Sequence, residues 1–380
     1  MASVVLNVNT DVVSLTKKLL SFNTISPPGN ESEIAGFVGD LLAGCGFDIE
    51  YSVFEENRLH LIAEKGLSSK KPPIILSGHF DTVPLGNKEW SVAPFAGKVK
   101  NGKIWGLGSS DMKGGLAAMI LASIGAFAEN PPEGGIRIVF TAGEEMGCQG
   151  ISKLVREKRL HGKASAIIVG EPTANLPATG HKGAIYLNVV TRGRTAHSSM
   201  PELGDNAIYK AARAITKIMD FNFGAERDPL LGMPTVNVGR INGGMNINSV
   251  PDHAEFTIDF RTTTKVDHRK ILERLMAEIG SETEVETLVD LKPVYTPEKD
   301  PFVQLVYKVC GIKKPMTGFP KALPYLTDGA ILQRFYHDAP TVILGPGQPE
   351  MAHQTDEYCF VKELEKSVRI YKNIIIKWRN

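Results

Sequence analysis

The amino-acid sequence predicts an α/β protein in two parts. A discontinuous domain over residues 1–177 and 294–380 is built on a mixed, largely parallel sheet flanked by helices, and an α+β domain is inserted over 178–293. Three observations predict this. Short, mostly apolar runs at 74–76, 136–140, 166–169 and 341–344 suit strands covered on both faces. Helical segments separate them, the pattern of a sheet with a substantial parallel part. Between Pro177 and Pro293 the texture changes to the order β-α-β-β-α-β, that of a split-βαβ, ferredoxin-like module.

The elements follow in order. Val12, Val13, Leu15, Leu19 and Leu20 have helical spacing, and Ser26-Pro-Pro-Gly29 stops that helix. A second amphipathic helix covers 32–43, and short strands cover 48–53 and 59–63. Residues 116–128 are apolar, long enough for a core helix and too short to span a membrane. In the insert, strands are predicted at 184–191, 235–241 and 284–291, with a helix over 271–279. Ala207, Ile208, Ala211, Ala212, Ile215, Ile218 and Met219 form one face of another helix. Ala254, Phe256, Ile258 and Phe260 alternate with polar residues, as in a half-buried strand.

Charge excludes some functions. The 43 basic and 42 acidic residues are interspersed and leave a formal net charge of +1, with no electrostatic footprint for nucleic acid or a membrane surface. Cys45, Cys148, Cys310 and Cys359 show no CxxC spacing, which points to reduced thiols in a cytoplasmic chain rather than a disulfide framework. Residues 1–10 show neither the basic nor the apolar region of an export signal.

Polar residues stand just past each apolar run. His79 and Asp81 follow the first, Glu144 and Glu145 the second, Glu171 the third, and His353 lies in the Gly/Pro-rich loop after the fourth. Ligands of such sheets bind at the carboxyl ends of the strands. Asp111 sits in the glycine-rich bend Gly106-Leu-Gly-Ser-Ser-Asp111-Met-Lys-Gly-Gly115. Alone it could be a helix N-cap; in this company it reads as a carboxylate bridging two metal ions. Each ion then needs one histidine and one further carboxylate, which matches His79, His353, Glu145 and Glu171 in number. Imidazole and oxygen ligands without thiolates suit zinc, cobalt or manganese. Such a centre favours hydrolysis of an amide or ester. Asp81 is expected to accept the second imidazole N–H of His79 and fix its tautomer. Glu144 is expected to be the general base.

Ser77-Gly-His79-Phe-Asp81-Thr-Val-Pro84, the Gly106–Gly115 segment, Thr141-Ala-Gly-Glu144-Glu145, Gly170-Glu171-Pro-Thr, Thr195-Ala-His197-Ser-Ser and Ala352-His353-Gln-Thr-Asp-Glu-Tyr358 together resemble the M20 metallopeptidase family. The closer resemblance is to its acetylornithine deacetylase / succinyl-diaminopimelate desuccinylase branch. It implies two zinc ions per subunit, which cobalt or manganese may replace, one on His79, Asp111 and Glu171 and the other on Asp111, Glu145 and His353. It also implies a cis peptide after Asp111, and an inserted lid that forms a homodimer. His197 would reach the partner subunit's site to stabilise an oxyanion, while Asn248 and Arg261 would hold a substrate carboxylate. The expected substrate is a small N-acyl amino acid. His181-Lys-Gly183 and Gly345-Pro-Gly347 favour acetylornithine, and Thr327-Asp328-Gly329 favours the succinyl substrate. A dipeptidase or carboxypeptidase on the same centre, and a non-catalytic binding scaffold, are the alternatives.

Overall fold

The computed structural model describes residues 11–312 and 322–378. Contacts divide the chain into two units, Met1–Gly180 with Tyr295–Lys321 and Thr327–Asn380, and His181–Val294 with Ala322–Leu326.

The first unit carries a six-stranded sheet. Its order is Asp48–Glu55, Arg58–Lys65, Ile136–Thr141, Ile74–His79, Ala166–Val169 and Thr341–Ile343. The first two strands form an antiparallel hairpin, and Arg58–Lys65 pairs antiparallel with Ile136–Thr141. The last four strands run parallel. Every residue of these four is buried, as the unalternated apolar runs require. His79 pairs with Thr141, and Val169 with both Ser77 and Ile343, so the four strands end together along one edge.

Helices cover the sheet. Val12–Leu20 is capped by Asp11, whose Oδ1 accepts from the N–H of Val13 and Ser14 at 2.8 and 2.9 Å. Lys113–Glu129 packs against Val12–Leu20, Val361–Lys377 and the strand Ile74–His79. Leu116, Met119 and Ile120 are fully buried on it, each burial contributing roughly 1.5–3 kcal/mol. This is why its sequence reads apolar all round. Near its start the backbone comes so close to the next strand end that a Cβ on Gly115 would lie 2.5 Å from the Gly170 carbonyl oxygen. Only glycine fits there, and the approach brings the Asp111 bend beside Glu171.

The second unit is an antiparallel four-stranded sheet in the order Thr235–Gly243, His253–Thr262, Gly183–Arg192 and Thr283–Leu291. The helices Ala207–Met219 and His268–Ile279 pack on the face that presents Ile185, Leu187, Phe256, Ile258 and Phe260. Ala207, Ala211, Ala214 and Ile218 are the buried positions of the first helix. Ala212 and Met219, expected on that face, are exposed: Ala212 lies one step off the stripe, and Met219 at the last turn runs past the sheet. No described helix is long and apolar enough to cross a membrane.

Candidate dinuclear metal centre

The seven candidate residues of the first unit, His79, Asp81, Asp111, Glu144, Glu145, Glu171 and His353, gather at the carboxyl ends of the parallel strands. His79 ends Ile74–His79, and its Nδ1 lies 2.9 Å from the main-chain carbonyl of Asp81. A carbonyl only accepts, so Nδ1 carries a proton, and in the neutral ring Nε2 is the nitrogen with the free lone pair. The sequence reading gave this tautomer-fixing task to the Asp81 carboxylate, and the structure corrects it. That carboxylate is 3.7 Å from Nδ1 at its nearest. The extended backbone ends at His79, so the side chain turns away and accepts from the N–H of Glu144 and Glu145 at 3.2 and 3.0 Å. Asp81 thus pins the neighbouring turn. That turn begins at Gly143, whose φ of +79° and contact with the Phe54 ring exclude a side chain.

Asp111 lies between two histidines. Its Oδ1 is 3.2 Å from His79 Nε2, and its Oδ2 is 3.6 Å from His353 Nε2. Glu171 Oε1 completes the first set at 3.8 Å from His79 Nε2. Glu145 Oε2 completes the second at 3.0 Å from His353 Nε2, while its Oε1 is buried without a hydrogen-bond partner. In each set of three, the donor atoms lie within 4.8 Å of one another. The peptide after Asp111 is cis. One carboxylate therefore serves two sets, each completed by one histidine and one glutamate. That is a donor set for two cations sharing Asp111.

The electrostatics agree. Burial pushes Glu171 up to about 8, with Asp111 and Glu145 adding to it against His79. Burial also raises Glu145, against its bond to His353. His353 is pushed up to about 9, first by its bond to Glu145. Burial disfavours a charged His79, yet Asp111, Glu171 and Asp81 together hold it well above its ordinary value. A site that draws protons onto its imidazoles between buried carboxylates offers the same places to divalent cations.

Glu144 neighbours a ligand but points elsewhere. Its Oε1 accepts from the Cys148 thiol at 3.4 Å, and Asp328 completes a buried cluster with these two. Burial, then Glu171, Glu145 and Asp328, drive its carboxyl well above the ordinary range; His79 opposes them, and cations alongside would act in the same sense as His79. Asp328 Oδ2 accepts from Thr141 Oγ1 at 2.6 Å. The sequence reading used Asp328 only as a hint to the acyl group and gave Glu357 no role. Yet the Glu357 carboxylate accepts from the N–H of Gly108, Ser110 and Asp111 at 2.7, 2.6 and 2.9 Å. Its place in the 352–358 motif marked the residue but not its main-chain partners.

Comparison with known proteins decides the family. The profile of Peptidase family M20/M25/M40 matches residues 75–377. The chain belongs to the M20 family. Among its M20 relatives, a "Probable succinyl-diaminopimelate desuccinylase" of Staphylococcus epidermidis is 30% identical, over 91% of this chain and 92% of the relative. An "Acetylornithine deacetylase" of Vibrio vulnificus is 28% identical, over 92% of each chain. A crystal structure of an M20 family metallo-carboxypeptidase, Sso-CP2 from Sulfolobus solfataricus, superposes with a TM-score of 0.81 at 20% identity, covering 97% of this chain and 99% of that one. This M20 chain is therefore a metal-dependent hydrolase of amide bonds with the α/β fold of its family.

The second unit of the M20 chain holds the other three candidates. His197 pairs with Ser249 in an antiparallel bridge, and the Ser198 N–H donates to the Asn248 carbonyl at 3.0 Å, so His197 and Asn248 share one loop pair. The Ser199 N–H donates to His197 Nδ1 at 3.2 Å, which leaves the neutral ring's proton on Nε2. Arg261 stands at the end of the strand His253–Thr262, its Nε and Nη2 donating to Asp259 Oδ2 at 3.2 and 3.0 Å, with Tyr186 beneath the guanidinium. This strand end is separate in sequence from the His197–Asn248 loops.

Proposed function

We propose that this chain is a dinuclear zinc amidohydrolase that removes the N-acyl group of a small amino acid. The observation that carries the reading is Asp111, whose two oxygens face two different histidine–glutamate pairs with Glu144 alongside. His79, Asp111 and Glu171 would hold one ion, and Asp111, Glu145 and His353 the other. When bound, such ions supply Lewis acidity toward water and toward the amide carbonyl. Glu144 takes the proton of the attacking water and delivers it to the leaving nitrogen. The C–N bond breaks, the carbonyl carbon gains the hydroxyl oxygen, and a carboxylate and a free amine result. Acetyl is the first acyl group, on His181-Lys-Gly183, Gly345-Pro-Gly347 and the deacetylase relative; succinyl is the second, on Asp328 and the desuccinylase relative.

The test is direct. Purified protein is expected to bind two zinc ions and to lose hydrolysis to a chelator. It should turn over acetylornithine or succinyl-diaminopimelate with higher kcat/KM than acetyl-methionine or simple dipeptides. A preference for dipeptides would reassign the enzyme to the peptidases.

His197 is the oxyanion donor in this reading, acting across a homodimer built by the second unit. Two features of that unit support a covered surface there. Thr235–Gly243 is an edge strand, and Met245 and Ile247 in the loop beside Asn248 are 76% and 99% exposed. His197→Ala is expected to lower kcat about 10²–10³-fold with both ions retained. Mixing it with Glu144→Ala should restore activity, because a heterodimer then holds one site with both groups intact. No recovery after subunit exchange would place the histidine in its own chain's site.

A further inference from the structure

The bend 106–111 that carries Asp111 has no strand or helix partner for its backbone, so the destination of its N–H groups is a matter of full accounting. Leu107 N–H goes to the Pro94 carbonyl and Ser109 N–H to that of Gly106, and the other four converge on one residue. Glu357 is 1% exposed; its Oε1 accepts from Ser110 and Asp111, its Oε2 from Gly108, and its own carbonyl accepts from Gly106 N–H at 2.9 Å. No guanidinium or ammonium shares this carboxylate by hydrogen bond among the described residues. Lys113, the buried cation of the same segment, donates instead to the Phe22 carbonyl at 2.8 Å. Glu357 is therefore a fork of acceptors rather than half of an ion pair.

Glu357 also closes the loop that carries His353, four residues before it. Ser110 Oγ donates to the Tyr358 carbonyl at 2.7 Å and accepts from Gln348 N–H at 3.0 Å. Gln348 Oε1 in turn accepts from Phe360 N–H at 3.2 Å. The two ends of the loop are so tied to each other and to the Asp111 bend. His353 itself stands on the excursion between them, with a φ of +61° and a side chain 53% exposed.

We propose that Glu357 is a positioning residue of the metal centre: by holding the Asp111 bend against the His353 loop, it sets the affinity for the ion shared by Asp111, Glu145 and His353. It touches neither ion nor substrate. Its action runs through the backbone of Asp111, whose N–H it fixes while the side chain reaches to both donor sets. This rests on the dinuclear reading given above.

The sharp variant is Glu357→Gln. An amide of the same shape has one oxygen, so it must turn an NH2 group toward either Gly108 N–H or the Ser110 and Asp111 pair. A residue that only fills space would tolerate the change; an acceptor fork does not. Protein stripped by chelator is titrated with zinc against a chromophoric competitor. Wild type is expected to take up two ions, and Glu357→Gln to bind one of them about 10–100-fold less tightly. Saturating zinc should restore most of kcat, with KM for the acyl amino acid unchanged. Affinities within about threefold of wild type at both positions overturn the inference. Should wild type itself bind fewer than two ions, it is the dinuclear reading that fails. If the glutamine variant does not fold, Glu357→Asp, which keeps the acceptors on a shorter arm, is titrated with the same two outcomes.

Discussion

Glu144→Ala is expected to keep two zinc ions and to lose turnover by about 10³-fold or more. The expectation follows from which group each side chain faces. Glu145 turns Oε2 to His353, while Glu144 turns Oε1 to the Cys148 thiol and joins no metal set with Asp111. The turn that presents both is held through their main-chain N–H groups by Asp81, and that anchor survives removal of the Glu144 side chain. Glu144→Gln preserves shape and lacks a basic oxygen, so it should lose nearly as much. Zinc content by elemental analysis, measured with kcat, checks both variants. Loss of zinc from Glu144→Ala would mean that the roles of the adjacent glutamates are exchanged.

Asp111→Ala is expected to be the more damaging change, lowering turnover by more than about 10⁴-fold, beyond the loss of a base alone. Both donor sets contain Asp111, so neither ion keeps three ligands. Asp111→Asn separates bridging from simple ligation: its single carbonyl oxygen can serve one set, so it should retain at most one ion. Thermal unfolding reads the same loss without any substrate. Zinc at about 1,000 times its Kd adds roughly 4 kcal/mol to folding stability, so the Tm of wild type should rise with zinc. That of Asp111→Ala should not. An alanine variant with two tightly held ions would dismiss the bridging role.

Much of this site was legible because its residues obey a positional rule. An unalternated apolar run marks a buried parallel strand, and the polar residue after it marks the strand's carboxyl end. His79, Glu145 and Glu171 follow that rule, and Asp111 was marked by glycines that permit close backbone approach. Asp81 broke the reading because two-residue alternation holds only while the strand continues, and the strand stops at His79. Glu357 was missed for another reason. Its partners are main-chain N–H groups some 250 positions away, and every residue type except proline carries one, so no pattern of side chains announces the contact. The three-stranded sheet of Lys98–Lys100, Lys103–Trp105 and Tyr358–Phe360 also went unseen. Its first strand is exposed throughout and lacks the apolar periodicity that a strand search needs.

The pairing of Glu357 with the Gly108–Asp111 backbone has a consequence for biosynthesis. His353 and Glu357 both follow His79, Asp111, Glu145 and Glu171 in chain order. While the ribosome is still working, His79, Asp111, Glu145 and Glu171 emerge as an acid-rich fragment that lacks its second imidazole and the brace behind its shared ligand. In the dinuclear reading, loading of the second ion therefore waits until His353 has been made, and a chain terminated before it has no means of completing the centre.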